Sequence, residues 1–172
     1  MPFVDKIKIN VDIEEFHRCC GEILRFGVAV ENNLELFITS YFCANQNSDK
    51  FNIFNDAIVI DLSFERKLNV FKLICKEEDV DKILFQKTLN AIHFVQRLRN
   101  KVAHWHSGIS GTENFKITLQ KKTSLTLKKD EIPITPELVK KTDKERINAI
   151  NKLDEIYQII SSPNRVRKIK TF

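Results

Sequence analysis

The sequence predicts a mainly α protein: an antiparallel, up-down four-helix bundle with a small β-hairpin inserted between the third and fourth main helices. Three observations carry this. Gly and Pro number only four each in 172 residues, too few for the tight turns of an all-β fold. Apolar residues recur at helical spacing along four long stretches. Between the third and fourth of these, apolar and polar residues alternate strictly. One folded domain is expected over residues 1–162, followed by a basic tail at 163–172.

Met1 to Val11 reads as an extended lead-in. Asp12 can cap a first helix over residues 13–44, with Glu14 and Glu15 suiting its N-terminal dipole. Its inward stripe is Ile23, Gly27, Leu34, Ile38 and Tyr41. Asn45 to Asp49 breaks it with polar turn residues. Phe51 to Ile60 reads equally as a short helix or an irregular segment. The second main helix spans Leu62 to Cys75, started by Asp61 or Ser63, with Phe64, Leu68, Phe71, Ile74 and Cys75 as its apolar arc. The third runs from Lys82 to His104 and is stopped by the Gly and Ser residues of Ser107 to Gly111. Asn114–Gln120 and Thr123–Lys128 form the predicted hairpin, turning at Lys121-Lys122. Thr135-Pro136-Glu137 opens the fourth helix with a capping hydroxyl, a Pro at the first helical position and an acid. That helix runs to Ile160 with Leu138, Ile147, Ile150, Leu153, Ile156, Tyr157 and Ile160 inward.

Composition narrows the function classes. Hydrophobic residues at 42% and charged residues at 30% are ordinary for a globular protein, and no run of eighteen apolar residues exists to span a membrane. Met1 to Asn10 is mixed and charged, unlike a secretion leader. Cys19, Cys20, Cys43 and Cys75 form no CxxC pair and read as reduced thiols, so a cytoplasmic location is expected. There is no Gly-rich phosphate loop, no GxSxG elbow, no HExxH and no carboxylate cluster for Mg²⁺, so neither cofactor nor metal is expected. A net charge of +5 suits a polyanionic partner, and the tail adds Arg165, Arg167, Lys168 and Lys170.

The third helix closes on Arg99-Asn100-Lys101-Val102-Ala103-His104. Leu84, Val95, Leu98 and Val102 fall on one side of it. At ~100° per residue, His93, Gln96, Asn100 and His104 form a polar stripe beside that side. Arg99 and His104 bracket the stripe about 140° apart, with only Ala103 and Asn100 between them. A cation and an imidazole across such a gap can hold a phosphate. Arg99 suits charge stabilisation because its planar fork grips phosphate oxygens, and His104 suits proton transfer near neutral pH. The plainer alternative is a His that meets the C-terminal helix dipole and an Arg that makes a surface ion pair. Glu31 and Lys67 each interrupt an apolar face. They either pair with each other, approach Arg99 and the phosphate respectively, or sit at the rim with buried stems. His93 and Gln96 either line the cleft or satisfy polar contacts of the core. Trp105 and His106 follow the motif and can stack a base, with packing the plainer role for Trp105.

Arg99 and Asn100, followed by His104 four residues later, resemble the RNA-cleaving signature of the HEPN superfamily (higher eukaryotes and prokaryotes nucleotide-binding domains). The helix order resembles that family over most of the chain. The resemblance implies a metal-independent endoribonuclease in which the ribose 2′-hydroxyl attacks the adjacent phosphorus. It implies catalytic Arg99, Asn100 and His104, support from Glu31 and Lys67, and RNA contacts at His93, Gln96, Trp105 and His106. It also implies a homodimer with one composite cleft and a toxin-antitoxin or phage-defence setting, with an antitoxin protein as a possible partner. Two other readings stay open: a non-catalytic HEPN-like module that binds RNA, a nucleotide or a protein, and a dimeric helical scaffold.

Overall fold

The computed structural model describes residues 3–43, 48–104, 106–110, 116–120 and 131–162, with side chains described at 13–43, 48–104 and 132–162. The protein is mainly helical. Among the described residues it has α1 (Phe3–Phe42), α2 (Asp49–Phe54), α3 (Phe64–Glu77), α4 (Lys82–His104) and α5 (Pro136–Ser161). A π-helical turn, Asn55–Val59, continues α2. Three short strands, β1 (His106–Ser110), β2 (Lys116–Gln120) and β3 (Glu131–Pro133), lie between α4 and α5.

Helix starts follow local chemistry. Ser48 accepts the Phe51 backbone N–H at 3.2 Å and opens α2. Ser63 accepts from Arg66 at 3.4 Å to start α3, and Asp81 accepts from Leu84 at 2.8 Å ahead of α4. Thr135 Oγ1 accepts from Leu138 at 3.3 Å, with Pro136 at the first helical position of α5. Thr135→Ala removes that cap, and urea denaturation should register a loss of about 1 kcal/mol.

Three expectations are corrected. The lead-in is helical, and α1 begins at Phe3. No Gly or Pro interrupts residues 3–20, and Phe3, Ile7 and Val11 continue the four-residue spacing. Ser107 to Ser110 does not simply stop α4; it belongs to β1. β1 and β2 pair antiparallel with Ile109 opposite Ile117, and β2 pairs with β3 with Leu119 opposite Ile132. The expected partner of β2, Thr123–Lys128, and its turn at Lys121-Lys122 lie outside the described residues, as does the tail at 163–172. Finally, Ile147 is 44% exposed rather than inward. Ala149, Leu153, Ile156 and Ile160 define the buried line of α5, and at ~100° per residue Ile147 lies about 160° from Ala149.

The chain forms two compact units. One comprises Met1–Gly27 with His93–Glu145, the other Val28–Ile92 with Arg146–Phe172. In the first, Phe16, Cys19, Ile23 and Phe26 of α1 are buried at alternating three- and four-residue steps. Here the Lys141 ammonium lies 5.3 Å from the centroid of the Phe94 ring, a cation–π contact joining α5 to α4. In the second, the fully buried Phe71 of α3 meets Phe37 of α1 edge-on at 5.2 Å and Phe85 of α4 at 6.0 Å. Phe37 also meets Tyr157 of α5 at 6.2 Å. Burying each such ring stabilises by about 1.5–3 kcal/mol relative to leaving it in water. Interior hydroxyls are satisfied locally: Thr39, Thr88 and Thr142 donate to the carbonyls of Glu35, Leu84 and Leu138, each four residues back. No helix among the described residues is long and apolar enough to cross a membrane.

Candidate functional site

The end of α4 carries the candidate site. α4 spans Lys82–His104, so Arg99 and Asn100 sit in its last two turns and His104 is its final residue. Arg99 is half-buried, while Asn100 and His104 are exposed. The Arg99 stem lies against α1 at Gly27. A methyl placed on Gly27 would stand 2.5 Å from Arg99 Cγ and 2.8 Å from Arg99 Cβ. Gly27 therefore makes the room that Arg99 occupies. The guanidinium then reaches the neighbouring amide: Arg99 Nη1 donates to Asn100 Oδ1 at 3.1 Å. Among the described residues no carboxylate pairs with Arg99.

Gln96 completes the arrangement from inside. It is 7% exposed, and its Nε2 donates to the same Asn100 Oδ1 at 3.5 Å. A carbonyl oxygen has two lone pairs, and both are used here. Asn100 is left with its NH₂ as its remaining hydrogen-bonding group. Gln96 Oε1 is buried with no hydrogen-bond partner among the described residues. An unmade buried acceptor costs about 1–3 kcal/mol. With the Asn100 carbonyl already engaged, Arg99 and Asn100 offer N–H groups, the right complement for an oxyanion.

The other predicted residues fall as follows. His93 is exposed at the start of the His93–Glu145 portion of the first unit, two turns before Asn100. Gln96 is buried, so it reaches a ligand only through Asn100. Trp105 lies outside the described residues, and His106 opens β1. Glu31 and Lys67 belong to the second unit. Lys67 is buried with its side chain 2% exposed, and its ammonium donates to Glu31 at 2.9 Å and to Glu35 at 2.5 Å. Burial alone would push the Lys67 ammonium down. The hydrogen bonds and charges of Glu35 and Glu31 outweigh it, and its pKa sits above the ordinary value.

Two residues escaped the reading from sequence. Glu35 is the second acid on Lys67; it lies four residues after Glu31, one turn along the same helix face, which is the signal that could have found it. Gly27 was placed in the inward stripe, but nothing in the sequence says that Arg99 fills its missing side chain. Cysteine offers no rival nucleophile among the shifted thiols. Burial pushes Cys19 up, Cys20 up to about 11 and Cys75 up to about 12, which keeps them protonated at neutral pH. Among the described residues no group of three His, Cys, Asp or Glu side chains could hold a metal ion. In comparisons with known proteins, no family model, no curated protein and no solved structure matches the chain.

Proposed function

We propose that the protein is a metal-independent endoribonuclease of the HEPN type, acting on RNA in the cytoplasm in a toxin-antitoxin or phage-defence role. The observation that carries the reading is the Arg99–Asn100 notch, with N–H groups outward, Arg99 free of a described counter-ion, and His104 one turn further on. A scissile phosphate sits on Arg99 and Asn100. A histidine takes the proton of the ribose 2′-hydroxyl, whose oxygen attacks phosphorus. The bond to the 5′-oxygen breaks, and that oxygen receives a proton. The product is a 2′,3′-cyclic phosphate. Arg99 stabilises the charge that develops on the phosphoryl oxygens.

One imidazole cannot serve both ends of this displacement at once. The proposal therefore includes a two-fold homodimer with His104 from each copy in one composite cleft, burying on the order of 1,200–2,000 Å² or more. It also includes the antiparallel four-helix arrangement, supported by the order of the four long helices α1, α3, α4 and α5. A strict monomer in sedimentation at tens of micromolar would contradict the assembly.

The test of the activity is cleavage of single-stranded RNA in EDTA. RNA should be cut to cyclic-phosphate ends and DNA of the same sequence left intact, because DNA lacks the nucleophile. Activity that vanishes in EDTA, or DNA cut equally well, overturns the reading. Arg99→Lys should remain severely impaired, since a point charge cannot reproduce the bidentate fork. A non-catalytic RNA-binding module is the second reading. It is favoured by His104 itself, which is exposed and has no orienting hydrogen bond among the described residues. Salt-dependent RNA binding without cleavage is its signature.

A further inference from the structure

We propose that Gln96 and Gly27 are the positioning residues of the Arg99–Asn100 notch: Gln96 locks the Asn100 carboxamide with its NH₂ outward, and Gly27 seats the Arg99 stem, so that the notch accepts a phosphate oxygen. The inference rests on reading the notch as a phosphate site.

The orientation of Asn100 is decided by two donors. Arg99 Nη1 and Gln96 Nε2 both reach Asn100 Oδ1, at 3.1 and 3.5 Å. Turning Asn100 over would bring its NH₂ against the Arg99 guanidinium, donor facing donor. Turning Gln96 over would bring its carbonyl against the Asn100 carbonyl, acceptor facing acceptor. Each move loses a bond, so the three side chains hold one arrangement. Its mark is Gln96 Oε1, left buried and unpartnered among the described residues. A glutamine retained purely for packing gains nothing from that orphan, because an apolar side chain of the same length fills the space without it. Gly27 acts from the other side. Arg99 Cβ is fixed to the α4 backbone and cannot yield to a methyl 2.8 Å away, so any side chain at 27 moves Arg99 or the helix carrying it.

The full-length chain is tested with a short single-stranded 2′-O-methyl oligoribonucleotide, which presents phosphates but no free 2′-hydroxyl to attack. Binding is read by fluorescence anisotropy in EDTA. The side-chain NH₂ resonances of Asn100, assigned with Asn100→Asp, are read in a ¹H–¹⁵N spectrum. Gln96→Met should keep or raise the melting temperature, because it removes the orphaned acceptor. It should weaken binding roughly tenfold or more, the scale of a hydrogen bond to a charged group. It should also shift the Asn100 NH₂ resonances. Gln96→Glu should weaken binding at least as much, because its carboxylate accepts where the amide donates and competes for Arg99. Gly27→Ala should weaken binding, and Gly27→Ala combined with Arg99→Ala should be no weaker than Arg99→Ala alone. Wild-type binding and unmoved Asn100 resonances in Gln96→Met, with binding lost in Arg99→Ala, overturn the positioning role and leave the phosphate site standing. Equal binding, or none, by wild type and Arg99→Ala overturns the phosphate site and the inference with it. If Gly27→Ala does not fold, the Gln96 variants decide.

Discussion

Replacing His104 by Ala should lower the rate of RNA cleavage about 10²–10⁴-fold, the range for losing an acid–base group. His104 is the last residue of α4 and is exposed, so the substitution leaves the interior untouched and the melting temperature within about a degree of wild type. RNA affinity should fall far less than the rate, because the phosphate is held by Arg99 and Asn100. Arg99→Ala reverses that pattern by losing affinity and rate together. In the proposed dimer, His104→Ala subunits mixed with wild type form hybrid clefts with one imidazole, and activity should drop faster than the wild-type fraction. Single-turnover cleavage of labelled RNA over a titration of the two proteins measures this. Undiminished cleavage by a clean His104→Ala preparation would sink the mechanism.

Replacing Lys67 by Met should cost about 3 kcal/mol of stability, the lower end of the range for breaking a buried ion pair from one side. The substitution leaves Glu31 and Glu35 facing each other without their shared cation. Their side chains keep 24% and 17% exposure, so water partly relieves them. For a chain of this length the melting temperature should fall roughly 6–12 °C. Glu31→Gln should cost less, about 1 kcal/mol, because Glu35 still holds the ammonium. Adding Glu31→Gln and Glu35→Gln to Lys67→Met should recover part of the loss. The pH dependence has a definite sign. Lys67 has its folded pKa raised, so its contribution is fully present below the unfolded value near ~10.4 and is lost as pH rises through the folded value. The difference between wild type and Lys67→Met in urea denaturation should be level near neutrality and shrink in strong alkali as Lys67 loses its proton. A difference below about 0.5 kcal/mol at neutral pH would show that the cluster adds nothing net.

The sequence spoke clearly where one residue type does a local job. The bounds of α4 and the start of α5 were legible because Thr135-Pro136 and the Ser-Gly run after His104 are local signals. Lys67 and Glu31 were legible as charges on apolar faces. The start of α1 was not, because Asp12 looks like a cap and sits inside a helix whose apolar spacing runs back to Phe3. β1 was missed because Gly108 and two serines weigh toward a turn, while its partner β2 is separated from it along the chain. In the site, Arg99 and Asn100 could be placed on one helix from spacing alone. Gly27 could not be matched with Arg99, since that contact joins residues 72 positions apart. Nor does helical spacing say that Gln96 turns inward while Asn100, four residues on, turns out.

The threonines of the interior have a consequence for how this fold tells one helix pairing from another. The hydroxyls of Thr88 and Thr142 close back on their own helices, at 2.8 and 2.6 Å. Those bonds form in any rotation or slide of the helix, so they carry no address. The Lys67 ammonium is different: its two acids lie on another helix, 36 and 32 residues away in the chain. Any one-residue slip of α3 along α1 would strand a charge. A sequence library that swaps Thr88 and Thr142 for Val should therefore yield chains that still fold to one register. A library that replaces Lys67, Glu31 and Glu35 together by apolar residues should yield chains that are compact but slide among several.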